Sequence, residues 1–200
     1  MSSSLEAIAT LPWVEKYRPK SLDEIIDQED VVNSLKNILK TKAVPHMLFA
    51  GPPGVGKTAT AHAFARDLFG ERYIEDGHFM EINASDERGI QTIREKVKMF
   101  ARQIPMGGLG FKILLLDESD QLTDDAQHAF RRVMEQYSAT CRFILAANYS
   151  NRIIEPIQSR CAVFRFRPLL KNDIIKHLRN IAEKEGLEID DQALEVIYDF

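Results

Sequence analysis

The chain has 200 residues, with 26 Lys and Arg against 30 Asp and Glu and a formal charge of −4 at pH 7. That balance excludes a uniformly basic nucleic-acid coat, whose footprint is a strongly positive domain, and the 44% hydrophobic and 28% charged shares exclude disordered and collagen-like classes. The longest uninterrupted apolar runs, such as Phe143 to Ala147, fall far short of the roughly 18 residues that a membrane helix needs, so no membrane association is predicted.

Met1-Ser2-Ser3-Ser4 lacks the basic patch and apolar core of a secretory signal, which leads us to expect an intracellular protein with a short N-terminal tail. Ser21-Leu22-Asp23-Glu24 opens the first predicted helix, where a hydroxyl and a carboxylate three residues on satisfy the first free backbone amides reciprocally. The first predicted strand, Met47 to Ala50, runs directly into Gly51-Pro52-Pro53-Gly54-Val55-Gly56-Lys57-Thr58 and then into an Ala-rich helical stretch. This is G-x-x-x-x-G-K-[ST] between a strand and a helix. Glycines turn backbone N–H groups onto phosphate oxygens, and the helix N-terminus adds positive potential. Lys57 reaches the β- and γ-phosphates, and the Thr58 hydroxyl ligates Mg²⁺. ATP and Mg²⁺ are the predicted cofactors, held by this loop and by Ala59 behind it.

After a strand at Phe79 to Ile82, the stretch from Arg88 to Lys112 carries six cations, Arg88, Arg94, Lys96, Lys98, Arg102 and Lys112, against the single acid Glu95. Between Gly89 and Arg102, a helix with Ile90, Ile93, Val97 and Ala101 as its core stripe leaves Arg94 and Lys98 on one exposed face. Either this is an ordinary solvated face or it meets phosphates, in which case Arg88, Arg94 and Lys98 are the candidate DNA contacts. No aromatic platform interleaves with the cations, so backbone contact without base readout is expected. Beyond it, Met99, Phe100, Ile104, Pro105 and Met106 precede a Gly107-Gly108-Leu109-Gly110 loop. Met99 and Met106 suit a protein-binding edge, while Phe100 fits an edge or the core.

The strand Lys112 to Asp117 ends in a second acid, Glu118. Behind a phosphate loop, Asp117 is placed to hold the Mg²⁺ shell and Glu118 to orient or deprotonate the attacking water. A helix from Asp124 to Tyr137 follows, with Ala126, Ala129, Phe130, Val133, Met134 and Tyr137 on one face. The strand Cys141 to Ala147 ends at Asn148, which either positions the same water beside the γ-phosphate or simply terminates the strand. Ile113 to Leu116 and Phe143 to Ala147 are continuously apolar, as strands buried on both faces of a parallel sheet are. Ala162 to Phe166 is the last predicted strand. Cys141 and Cys161 match no paired metal-ligand spacing, fit a reducing compartment and are expected to be small buried hydrophobes. The order is α/β with a largely parallel sheet. After Arg167-Pro168, two helical patterns remain, Asp173 to Glu185 and Asp191 to Phe200. A boundary near 167 is expected, with a nucleotide-binding core at 1–166 and a helical domain at 167–200. The last pattern has no stop signal before Phe200, so that domain is expected to be incomplete.

Together with Trp13-Val14-Glu15-Lys16-Tyr17-Arg18-Pro19 and Ile153-Ile154-Glu155-Pro156-Ile157-Gln158-Ser159-Arg160-Cys161, these motifs resemble the replication factor C small subunits, sliding-clamp loaders of the AAA+ ATPase superfamily, of archaeal or eukaryotic type. Asn83 to Gly89 agrees, and the likeness runs from about Leu11 to Phe200. It implies a P-loop AAA+ fold, a five-stranded parallel sheet flanked by helices, followed by part of a small helical lid, with a collar domain absent. It further implies that Val14, Tyr17, Arg18 and Pro19 border the adenine, and that Arg160 reaches in trans into a neighbouring subunit's site as an arginine finger. A guanidinium supplied in trans is worth on the order of 10³–10⁵ in rate in analogous systems. On sequence alone, Arg160 equally suits a surface ion pair.

The partners implied are other clamp-loader subunits in a five-membered spiral, with a large subunit or as small subunits alone, a PCNA-type sliding clamp, and primer–template DNA held through its phosphates. The implied compartment is the archaeal cytoplasm or the eukaryotic nucleus. A branch-migration helicase or replication initiator of the same superfamily would lack the Glu15 to Pro19 stretch and the Ser159-Arg160-Cys161 triplet. A non-hydrolysing assembly subunit would not need Lys57, Thr58, Asp117, Glu118 and Arg160 together. Two departures stand out. Ser119 replaces the Ala of the family's Asp-Glu-Ala-Asp, and Asp27 stands where Gly usually follows Ile25-Ile26. The family's lid arginine falls beyond Phe200, so weak hydrolysis by these residues alone is expected.

Overall fold

The computed structural model describes residues 11–85, 90–103 and 108–199. Five parallel strands form one sheet, β1 (His46–Ala50), β2 (Phe79–Asn83), β3 (Lys112–Asp117), β4 (Cys141–Ala147) and β5 (Cys161–Arg165), in the order β2-β3-β4-β1-β5. Leu116 pairs with Leu145 and Leu48 with Leu145 from the other side, so β4 lies at the centre. The chain leaves β1 for the far edge and returns to pair β4 beside it. This reversal of strand order opens a crevice at the carboxyl ends of β1, β3 and β4, the usual place for a ligand in an open α/β sheet.

Alternation along the strands explains the layers. Ile113, Leu115, Ile144 and Ala146 face a cluster with Val31, Val32 and Leu35 of α2 (Glu29–Thr41) and Ala61, Phe64 and Ala65 of α3 (Lys57–Phe69). Leu114, Leu116, Phe143 and Leu145 face Val97, Phe100 and Ala101 of α4 (Ile90–Arg102) and Phe130, Val133 and Met134 of α5 (Asp124–Gln136). Each fully buried Leu or Phe contributes about 1.5–3 kcal/mol from apolar burial, so the double-sided core fixes the register of the sheet. A short α1 (Trp13–Lys16) precedes these elements. The short α6 (Glu155–Gln158) leads to β5, and α7 (Lys171–Glu185) and α8 (Asp191–Asp199) follow it. Among the described residues, no helix is long and apolar enough to cross a membrane.

Several local expectations change. Leu22–Glu24 forms only a single 3-10 turn, Ser21 makes no capping hydrogen bond, and the long helix begins at Glu29. The reason is tertiary: Leu22 is buried and its N–H donates to Asp67 Oδ2 on α3 at 2.9 Å, while Glu24 accepts the N–H of Lys20 at 2.9 Å. Asp27 takes φ +52, the left-handed conformation that a glycine would adopt there. Its carboxylate accepts the N–H of Leu170 at 2.7 Å, so the substitution adds a tie between the two ends of the chain. Neighbouring Gln28 is buried and pairs both ways with the Arg167 backbone, at 2.8 and 3.1 Å. Cys141 is buried and Cys161 half-buried, and burial pushes both thiols up to about 12, where they stay protonated.

Candidate active site

The loop after β1 is shaped by its contacts. Gly51 donates its N–H to Ala147 O at 3.2 Å, and a Cβ placed there would lie 2.6 Å from Phe166 O, so only glycine permits this approach. Gly56, at φ +90, turns the chain into α3 without any side-chain cap. The first N–H groups of α3 are therefore left for a ligand. Lys57 Nζ donates to Gly51 O at 2.8 Å, Pro52 O at 2.7 Å and Asn148 Oδ1 at 2.8 Å. Three acceptors match the three donors of an ammonium. Burial lowers the pKa of Lys57, and Asp117 and Asp120 oppose that shift.

Across the crevice, Thr58 Oγ1 donates to Asp117 Oδ2 at 2.5 Å, bringing two hard oxygen donors together. Mg²⁺ is commonly held by one or two protein oxygens with phosphates and waters completing its shell, and this pair fits that requirement. Among the described residues, no group of three or more His, Cys, Asp and Glu forms an all-protein metal cage. Asp117 Oδ1 accepts the N–H of Glu118 at 2.8 Å, and Glu118 itself sits at φ +50, a strained backbone for a glutamate. Behind them, the Ser119 hydroxyl donates to Ala146 O at 2.8 Å, and buried Asp120 accepts the N–H groups of Asn148 and Tyr149. The serine that departs from the family's alanine thus ties the acidic turn to β4.

These groups open on one pocket of about 590 Å³, lined by Val14, Tyr17, Arg18, Pro19, Pro53, Gly54, Gly56, Lys57, Thr58, Ala59, Asp117, Glu118 and Asn148. Gly51 and Pro52 contribute carbonyls to Lys57 from its edge. Val55 turns its side chain into the core. Trp13 on α1, Ala146 on β4 and His177, Leu178 and Ile181 on α7 also line the wall; Trp13 opens the N-terminal motif without having been assigned to the site, and no motif signals the three residues of α7. Periodicity marks the apolar side of α7 but does not show that it closes onto the N-terminal segment. The two walls are joined by Glu185, whose Oε1 accepts from Lys16 Nζ at 2.5 Å and from Tyr17 OH at 2.6 Å. His177 has its pKa lowered by burial and then by Lys184, which favours a neutral ring beside a ligand.

Arg160 does not line this pocket; it pairs with Glu135 at 2.6 Å on the outer surface. Lys98 is half-buried on α4 and Met99 is exposed beside it, while Phe100 is buried and belongs to the core. Lys112 does not belong to a phosphate-facing patch: it is buried, donates to Phe100 O at 3.2 Å and lies 4.4 Å from the Phe100 ring centre, so it caps the end of α4. Arg88, Met106 and the side chain of Arg94 lie outside the described residues.

A profile of the ATPase family associated with various cellular activities (AAA) matches residues 47–169. The replication factor C small subunit of Staphylothermus marinus is 62% identical over all of this chain and 60% of its own length. That of Aeropyrum pernix is 59% identical over all of this chain and 59% of its own, and that of Archaeoglobus fulgidus is 59% identical over 92% of this chain and 57% of its own. The chain therefore spans about three-fifths of the length of these relatives. Among solved structures, a Thermotoga maritima RuvB variant superposes with a TM-score of 0.71 over 90% of this chain and 58% of its own, at 23% identity, a likeness of fold alone. The chain belongs to the AAA family of ATPases, and its relatives include archaeal replication factor C small subunits.

Proposed function

We propose that this chain is the ATPase module of a sliding-clamp-loader subunit, one that uses ATP binding and hydrolysis to open a clamp and place it on primer–template DNA. One observation carries the ATPase reading: Lys57, Thr58, Asp117, Glu118 and Asn148, scattered along the sequence, converge on a single pocket. The relatives named replication factor C small subunit support the clamp-loader assignment.

In this reading, Lys57 exchanges the Gly51 and Pro52 carbonyls for β- and γ-phosphate oxygens, and the α3 N-terminus receives the remaining phosphate charge. Thr58 and Asp117 would hold Mg²⁺, which when bound would neutralise charge developing on the β- and γ-phosphates. Glu118 takes a proton from the attacking water, and Asn148 fixes the line of that water's approach. Tyr17, Val14, Arg18 and Pro19 enclose the base against His177 and Ile181. Arg160 serves the site of a neighbouring subunit, since a guanidinium delivered in trans stabilises the developing charge on the γ-phosphoryl group. Arg88, Arg94 and Lys98 follow DNA phosphates, and Met99 and Met106 meet the clamp. The nucleotide-binding core ends near residue 166, and the helices after it act as a lid.

The test is an ATPase assay on the reconstituted complex with and without clamp and primed DNA. Stimulation by both together, lost with Lys57→Ala or Glu118→Gln, is the expected result. Mixing Lys57→Ala copies with Arg160→Ala copies should restore part of the hydrolysis if the finger acts in trans. Clamp loading that goes to completion with Lys57→Ala would sink the hydrolytic reading.

A further inference from the structure

Arg160 is held in a defined posture. Its Nη1 donates to Pro156 O at 2.7 Å, within the turn that ends α6, and its Nη2 meets Glu135 Oε1 at 2.6 Å across the surface on α5. Both side chains remain about two-fifths exposed, at 39% and 41%. The same Glu135 oxygen lies 3.9 Å from Arg131 Nε, one helical turn back, and that Nε is buried without a hydrogen-bond partner. One carboxylate thus serves two guanidiniums, which leaves the cluster electropositive on an accessible face.

An arginine side chain has large rotamer freedom, and a finger that must meet an anion loses that freedom at the moment of reaction unless it is already ordered. A guanidinium carries five N–H donors in a rigid fork. Two are engaged here, which leaves three for an incoming oxyanion while the fork keeps its orientation. We propose that Glu135 is a positioning residue for Arg160: it holds the guanidinium extended over the surface so that its remaining donors reach the γ-phosphate bound by a neighbouring subunit. This rests on the trans-finger reading of Arg160. Glu135 touches neither nucleotide nor water in this scheme, and an exposed ion pair contributes little to folding.

Steady-state ATPase kinetics on the reconstituted, clamp- and DNA-stimulated complex test this proposal. Glu135→Ala should lower kcat by about tenfold with KM for ATP unchanged, the pattern of a group felt only in the transition state. The urea midpoint should not move. Glu135→Gln, which keeps an acceptor oxygen at the same reach, should recover part of the rate. In an Arg160→Ala background, Glu135→Ala should change nothing further. An unchanged or raised kcat for Glu135→Ala, or an effect that persists without Arg160, would overturn the positioning role. If Arg160→Ala leaves hydrolysis intact, the trans-finger reading fails and this role fails with it. If Arg160→Ala abolishes hydrolysis and Glu135→Ala does not alter it, Glu135 alone is refuted.

Discussion

Asp120 holds Asn148 from behind: its two carboxylate oxygens accept the N–H groups of Asn148 and Tyr149, each at 3.2 Å. With the Ser119 hydroxyl on Ala146 O, this clamps the turn after β3 onto the end of β4 and sets the spacing of Glu118 and Asn148. Asp120→Ala removes the acceptor of both amides in a buried place, and an unsatisfied buried donor costs about 1–3 kcal/mol. The urea midpoint should fall by that order and kcat should drop more than ATP affinity, with Asp120→Asn intermediate. Wild-type stability for Asp120→Ala would show that water or a shift of the turn replaces the carboxylate.

Glu118, the proposed base, lies on strained backbone. Its φ of +50 puts a glutamate where glycine is favoured, at a cost of about 1–3 kcal/mol. Glu118→Gln keeps the backbone and removes the proposed base, so hydrolysis should fall by about 10²-fold or more while nucleotide binding persists. Glu118→Gly should lose hydrolysis equally yet unfold no earlier than the wild type, because the relieved strain offsets the added chain entropy. Fluorescent-nucleotide titration and denaturant melts on the two variants separate these effects. A Glu118→Gly protein clearly less stable than wild type would show that the side chain is structurally required.

What the sequence disclosed depends on how local the cause was. Leu114 and Leu145 lie in unbroken apolar runs, so β3 and β4 were legible as strands of a parallel sheet, and the phosphate loop was legible because its chemistry is contiguous. The capping pattern at Ser21 does not form because the N–H of Leu22 is claimed by Asp67, on a helix far along the chain. Lys112 belongs by type with the cations from Arg88 onward, because charge is visible in a sequence while the burial of Lys112 against the Phe100 ring is not. The same holds for His177, Leu178 and Ile181, whose place in the pocket wall exists only once α7 folds against the N-terminal segment. Asp27 is the converse case: it departs from the family's usual Gly, yet Asp is among the residues that tolerate positive φ, and the backbone keeps that conformation.

Lys98 tests the DNA reading directly because it lies on α4, whose carboxyl end is fixed by Lys112 and by the Thr140 hydroxyl on Ala101 O at 2.8 Å. Lys98→Glu in the assembled complex should weaken DNA binding and reduce the slope of log K against log salt by about 0.9 for a lost phosphate contact on duplex DNA. Titrations from 50 to 200 mM salt, a range in which phosphate contacts dominate, give that slope. An unchanged slope would place the DNA elsewhere.

Acid sensitivity should centre on His46. Its Nδ1 accepts the N–H of Phe143 at 3.1 Å, which requires a neutral ring, and burial, aided by Arg142, pushes its pKa from 6.5 to about 4. The unfolded chain therefore takes up this proton first, so stability is complete above about pH 6.5 and declines as pH falls toward 4, by up to about 3 kcal/mol. His177, also lowered by burial, adds loss of the same sign. Urea melts at pH 7.5 and 5 should show the decline, and His46→Asn, which keeps an acceptor near the Nδ1 position but does not titrate, should flatten part of it. An equal decline in that variant would move the cause to other groups.

Glu185 latches the two walls of the candidate site. Glu185 Oε1 receives both Lys16 Nζ and Tyr17 OH, and the hydrogen bond from Lys16, then that from Tyr17, holds its carboxyl below the usual range. Lys16 and Tyr17 are raised by the same contact. Because the folded pKa of Glu185 is depressed, the latch is intact above the ordinary carboxylate pKa of 4.5 and opens as pH falls through the lower folded value. The N-terminal segment and α7 form opposite walls, so their connection should matter for holding nucleotide more than for cleaving it. Glu185→Ala should raise the Kd for ATP by about threefold to tenfold, the scale of one or two modest polar contacts, with kcat at saturating ATP little changed. Glu185→Gln, which keeps an acceptor for Tyr17 but loses the charge that draws Lys16, should fall between. If Glu185→Ala binds ATP as tightly as the wild type, the walls are held by their apolar contacts alone and the latch has no part in retaining the nucleotide.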